Sequence, residues 1–306
     1  MLDINHILVV MDNEHLQQHA LDRALWLAKA LQADLTLLTA TYESYCEDES
    51  SIDIETRQRI REALINKSTA WIESFIDEDI EVQVRTEVHW QKHLHDAVID
   101  SMRHQEYDLV IKGTQPHSIV DRLFTHTDWN LLRHCPAPVL LVKNSQPWKH
   151  NRVLASIDAT STDDGHVIIN DNILSYAEHL ADHFETDLHL ANAYPLVSVA
   201  FAMVPEVTAP DDIQRYILEQ HQEACGDWAR KFNINDDHVH IDEGDADDVI
   251  ARFAHELEAD LVVVGTVGRE GLAGVLLGNT AEQLVDKVNC DVLVIKPDDG
   301  VKPDAD

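Results

Sequence analysis

YDLVIKGT, residues 107–114, returns as ADLVVVGT at residues 259–266. Each copy is a short apolar run closed by Gly-Thr, the pattern of a strand buried on both faces and ended by a turn. Gly113 and Gly265 stand 152 residues apart. Upstream, HILVVMD at 6–12 pairs with VLASID at 153–158, and both runs end in aspartate, Asp12 and Asp158. Helix-patterned stretches follow each, at 16–31 (Ala20, Ala24, Leu27 and Leu31 on one face) and at 169–184. Second strands come next, at Ala33-Asp34-Leu-Thr-Leu-Leu and Thr186-Asp187-Leu-His-Leu-Ala. Third strands fall near 81–88 and 238–241, and last strands at 139–143 and 292–296.

A repeat of this length is a duplicated domain rather than a solenoid. Apolar strands alternating with helical patterns give a parallel sheet with helices on both faces. The expected fold class is therefore α/β, two tandem doubly wound domains with five-stranded parallel sheets. Their expected spans are 1–145 and 150–297, joined around residues 144–149 and followed by a frayed acidic tail at 298–306.

The chain of 306 residues carries 23 basic and 56 acidic side chains, a net charge of −33. Such a field opposes nucleic acid and anionic membranes as partners. No apolar run reaches the roughly 18 residues of a membrane span, and the opening MLDINHILVV does not read as a signal peptide. Cys46, Cys135, Cys225 and Cys290 form no CxxC pair and read as small buried or half-buried side chains of a reducing compartment.

Five of the ten glycines lie between residues 265 and 283. In an open α/β sheet, ligands bind beyond the carboxyl ends of the strands, and this segment follows such an end. Gly265 and Gly268 are expected to permit positive φ and close backbone approach. Gly278, Asn279 and Thr280 open the last helix, with Thr280 and Gln283 in capping-box register. Free helix N–H groups beside glycine favour phosphate, which the acidic surface would otherwise repel. Asp158 is expected at the same crevice, as a hydrogen-bond acceptor for a base or ribose, or else as a helix cap or solvated loop acid.

The spacing Gly265-x2-Gly268-x9-Gly278-Asn279 resembles the ATP-binding motif of the universal stress protein family. The duplication, residues 127–138 with Gln146-Pro-Trp148, and residues 265–297 resemble its tandem, E-type members. The resemblance implies an adenine-nucleotide α-hydrolase-like fold, a cytoplasmic location and a role under stress. It also implies pairing of the halves through their last strands as an intramolecular pseudo-dimer, and leaves a homodimer open. It carries over Gly265, Gly268, Gly278, Asn279 and Thr280 as the phosphate and ribose cradle, Asp158 as the nucleotide-side acid and Val292 as a lining position. ATP or another nucleotide-containing small molecule, with Mg, is the implied ligand. In the first half Pro116, His126 and Asp128 stand where the second has Gly268, Gly278 and Thr280, so that half keeps the fold and Asp12 but no phosphate site is expected there.

Residues 196–204, LVSVAFAMV, are apolar where the first half has the polar Glu43–Ser50. They close the core or line an apolar pocket through Val199, Phe201 and Met203, suited to the apolar part of a nucleotide conjugate. No catalytic triad, HExxH or nucleophile elbow occurs, so no catalytic residue is named. None of the 19 histidines is expected to ligate a metal: His89, His93 and His95 read as a solvated loop and helix start, and His238 and His240 as one face of a strand. Beside the nucleotide binder stand two other readings, a scaffold with vestigial clefts and a slow ATPase or nucleotide transferase. A transferase needs basic side chains at the phosphates, for which Arg269 is the candidate.

Overall fold

The computed structural model describes residues 3–13, 17–47, 53–77, 79–114, 126–196, 210–266 and 279–296. They form two compact units that meet in sequence at Pro147 and Trp148. The first runs β1 (His6–Val10), α1 (His19–Leu31), β2 (Asp34–Thr41), α2 (Ile54–Glu73), β3 (Val84–Trp90), α3 (Leu94–Met102), β4 (Leu109–Gly113), α4 (His126–His134), β5 (Val139–Val142). The second runs β6 (Arg152–Ser156), α5 (Asp164–Phe184), β7 (Asp187–Tyr194), α6 (Pro210–Lys231), β8 (Val239–Glu243), α7 (Ala246–Glu256), β9 (Leu261–Gly265), α8 (Asn279–Lys287), β10 (Asp291–Ile295).

Strand order in the first unit is β3-β2-β1-β4-β5, and the second repeats it as β8-β7-β6-β9-β10. Neighbouring strands within each unit are parallel. Crossovers between parallel strands are right-handed, so reversing direction after β3 or β8 carries the later helices to the opposite face. The reversal opens a crevice beyond the carboxyl ends of β1 and β4, and another beyond β6 and β9. The interiors of the central strands β1, β4, β6 and β9 are mainly Val, Ile, Leu and Ala with almost no exposure, as a sheet covered on both faces requires, with Lys112 of β4 the polar exception.

The aspartates of the quoted repeat have a structural task the periodicity did not reveal. Asp108 Oδ2 accepts N–H bonds from Asn5 and His6 at 2.8 and 2.9 Å. Asp260 accepts from Lys149, His150 and Arg152 at 2.8, 2.9 and 3.3 Å. Each carboxylate thus ties the entry of the first strand of its unit to the entry of the fourth. Buried Arg23 holds the end of the first unit, donating to the Gln146 carbonyl at 2.6 Å. Trp148 begins the second, with Nε1 on Asp291 Oδ2 at 3.1 Å and its ring edge-on to Phe184.

Boundaries differ from the sequence reading in ways the local chemistry explains. Helix α5 starts five residues before the expected 169, because the Asp163 carboxylate caps it, accepting from the Gly165 and His166 N–H groups. Helix α1 begins at His19 rather than 16, and β3 runs on to Trp90. The tail at 298–306 lies outside the described residues. All four cysteines are free, three buried and Cys290 partly so. Burial pushes the Cys225 thiol up to about 12, which keeps it unreactive.

Two of the histidines read as solvated are less so, while His93 is exposed as expected. His89, next to last in β3, lies 3.1 Å from Glu87 and 3.4 Å from Asp100, while His95 is buried in α3. His238 and His240 do share a face, both stacking on buried His189, at 4.2 and 5.2 Å between ring centroids. Burial, with the neighbouring His238 and His240, pushes His189 down to about 4. The unfolded chain therefore takes up this proton first as pH falls. In a chelator, stability is expected to fall between about pH 6.5 and pH 4. Equilibrium denaturation of wild type and His189→Leu across that range checks it: the mutant should lose this component, and identical pH profiles contradict it.

Candidate functional site

In the second unit the carboxyl ends of β6 and β9 mark the edge at which an open α/β sheet binds ligands. Asp158 lies two residues beyond β6, and Asn170 of α5 grips its backbone at both ends. Asn170 Nδ2 donates to the Asp158 carbonyl at 2.8 Å, and Asp158 N–H donates to Asn170 Oδ1 at 3.2 Å. Because Asp163 caps α5, Asp158 is not the cap. Its side chain is exposed, and among the described residues no lysine or arginine pairs with it.

A second amide supports the same turn from below. Asn192 of β7 donates through Nδ2 to the Ile157 carbonyl at 2.9 Å, and its Oδ1 lies 2.6 Å from His221 Nδ1. Donation by Nδ2 fixes Oδ1 as the acceptor, so His221 carries its proton on Nδ1 and keeps the Nε2 lone pair. Burial lowers the His221 pKa, with the Asp158 charge acting in the other direction. His221 is thus a buried imidazole within the field of Asp158, its burial favouring the neutral form. No sequence signal separates it from the other 18 histidines, because its place depends on how α6 packs on β7.

Gly265 ends β9 without positive φ, contrary to the expected turn role. A Cβ there would meet Ile169 Cδ1 at 2.8 Å, Ile169 Cγ1 at 3.1 Å and Ile173 Cδ1 at 3.1 Å. Glycine leaves room for the Ile169 and Ile173 side chains of α5 against the strand end. Gly265→Val is expected to cost about 1–3 kcal/mol through overpacking, read as a lowered denaturation midpoint; an unchanged midpoint would show that α5 gives way freely.

Asn279 and Thr280 open α8, with Thr280 inside its first turn rather than at the capping position. Val292 is the second residue of β10, fully buried and paired with Val262, toward the amino end of the sheet. The structure does not bring it to the crevice. The expected Gly268, Gly278, Val199, Phe201 and Met203, like Arg269, lie outside the described residues.

The first unit builds the same turn and then fills it. Gln18 clamps the Asp12 backbone, donating to its carbonyl at 2.8 Å and accepting its N–H at 3.2 Å. Thr39 Oγ1 donates to the Met11 carbonyl at 2.9 Å, in the place of Asn192. Lys112 of β4, buried, projects its ammonium to the Gly113 carbonyl at 2.8 Å, to Asp12 Oδ2 at 3.4 Å and toward Asp128 Oδ1 at 3.7 Å. Asp128 therefore does not stand as a bare repulsive charge; it is one partner of a buried ion cluster. At the corresponding place in the second unit the quoted repeat has Val264.

The universal stress protein family model matches residues 3–143 and again 169–296. The chain belongs to the universal stress protein family. It is a tandem member, with one copy of the family's fold in each unit. It is similar to universal stress protein E of Escherichia coli strain K12, 33% identical over 300 residues, covering 96% of this chain and 94% of that protein. A homologue of universal stress protein E from Haemophilus influenzae is 32% identical over 306 residues, covering 97% and 98%. Among solved structures, a universal stress protein of Pseudomonas aeruginosa UCBPP-PA14 superposes with a TM-score of 0.72 at 32% identity, covering 97% of this chain and 94% of that one. One from Archaeoglobus fulgidus shares the fold at 17% identity, with a TM-score of 0.61 and coverage of 95% and 98%. No helix among the described residues is long and apolar enough to cross a membrane.

Proposed function

We propose that this universal stress protein works as a cytoplasmic stress-response binder, holding ATP or a nucleotide conjugate in the crevice of its second unit. The observation that carries this reading is the difference between the two crevices. Where the first unit supplies its own cation, Lys112, the second has Val264 and leaves Asp158 exposed. An exposed carboxylate on a backbone clamped by Asn170 suits hydrogen bonds from a ribose or base. The N–H groups opening α8 at Asn279 and Thr280, with Gly268 and Gly278 from the motif, suit the phosphates. Mg would arrive with the triphosphate. Residues 196–204 remain the candidate wall for an apolar portion of the ligand. Their first residue, Leu196, is 63% exposed.

Calorimetry with Mg-ATP on the full chain tests the site. Asp158→Ala and Gly278→Asp are each expected to weaken binding at least tenfold, about 1.4 kcal/mol. Undiminished affinity in both folded variants would remove the crevice as the site and leave the scaffold reading. Native mass spectrometry of the purified protein reports a conjugate directly, as added mass carried from the cell.

A further inference from the structure

We infer that the second unit carries a divalent transition-metal site, of the zinc class, formed by Asp187, His189 and His238 at the amino end of its sheet. One ligand atom from each of the three lies within 4.8 Å of the other two. The register accounts for this convergence. Leu190 pairs with Val239, which sets His189 beside His238 on adjacent strand entries. Asp187 precedes His189 by two residues and so points to the same face of β7.

Two further observations point to a ligand rather than a chance cluster. His189 is 6% exposed, and its Nε2 is fully buried without a hydrogen-bond partner. Its other nitrogen, Nδ1, lies 3.0 Å from His240 Nε2. An imidazole that gives its Nδ1–H to a neighbour offers the Nε2 lone pair, the arrangement by which supporting residues orient metal-bound histidines. His240 therefore acts as the positioning residue. Two imidazoles and one carboxylate suit zinc and its neighbours in the first transition row, not Mg or Ca, which take oxygen. Asp187 is exposed and His238 partly so, which leaves an approach for the ion and a coordination position for water. The net charge of −33 favours cations near the surface.

The first unit lacks the set at the same register. There Asp34 begins β2, Thr36 stands in the place of His189, and Thr36 pairs with Arg85 in the place of His238. The site lies at the opposite end of the strands from the Asp158 crevice, so it is separate from the proposed nucleotide site.

Zinc titration of the chelator-treated full chain against a chromophoric competitor tests the inference, with Co2+ absorption reporting the nitrogen and oxygen ligands. One equivalent is expected to bind wild type. Asp187→Asn and His238→Gln, both at accessible positions, are each expected to weaken it at least tenfold. His93→Gln, in the other histidine cluster, should leave it unchanged. Absence of tight zinc binding by wild type overturns the inference. So does a loss below tenfold in either site variant, or an equal loss in His93→Gln.

Discussion

Lys112→Ala is expected to destabilise the first unit by about 3–5 kcal/mol, the cost of removing one partner from a buried ion cluster. Lys112 and Asp128 are 2% and 1% exposed, so deleting the ammonium removes the cation shared by Asp128 in the interior and Asp12 at its edge. Much of such a loss is the cost of keeping carboxylates in the interior without this cation, rather than the worth of the pair itself. Replacing both partners by the residues of the second unit, Lys112→Val with Asp128→Thr, should therefore recover most of it. Urea unfolding of wild type, Lys112→Val, Asp128→Thr and the double variant forms the cycle. Additive losses would mean that the cluster is not a coupled unit. The same double variant tests function. It removes the internal cation that occupies the first crevice, and Mg-ATP affinity there is not expected to appear, because Pro116 still stands where the motif has Gly268.

Asn192→Leu is expected to cost the second unit about 2–6 kcal/mol. The leucine occupies similar space but strands two buried groups, the Ile157 carbonyl and the His221 Nδ1–H. Each buried group left unmatched costs about 1–3 kcal/mol. The effect should reach the crevice, because Ile157 immediately precedes Asp158, and Mg-ATP affinity should fall with stability. Asn192→Leu combined with His221→Leu removes one of the stranded groups and should recover part of the loss. Denaturant midpoints and calorimetry on the two variants check this. A near-neutral Asn192→Leu, or no recovery in the pair, would show that water satisfies these groups instead.

The sequence was a good guide wherever one residue pattern had one structural meaning. YDLVIKGT and ADLVVVGT could only be central strands, and their repetition with Asp12 and Asp158 gave both the duplication and the order of strands and helices. It was a poor guide to helix starts such as α5, where a polar first turn hides the periodicity and a single cap at Asp163 decides. The fold-family resemblance placed Asp158 beside a crevice. It also offered Val292, which the register of β10 buries instead.

Histidines show the limit most clearly. His89, His189, His221 and His240 look alike in the chain, yet packing makes them an ion-pair partner, an unpartnered buried nitrogen, a neutral neighbour of Asp158 and a ring that orients another. What the sequence determined by itself was local and periodic: apolar alternation, the duplicated unit, the glycine motif and the missing glycines of the first half. What only the tertiary structure decided was which polar groups meet across strands and helices. Those meetings join residues tens of positions apart, such as Lys112 with Asp12 and Asn192 with His221. No spacing rule encodes them, because their free energy depends on burial and register that exist only once the sheet has formed.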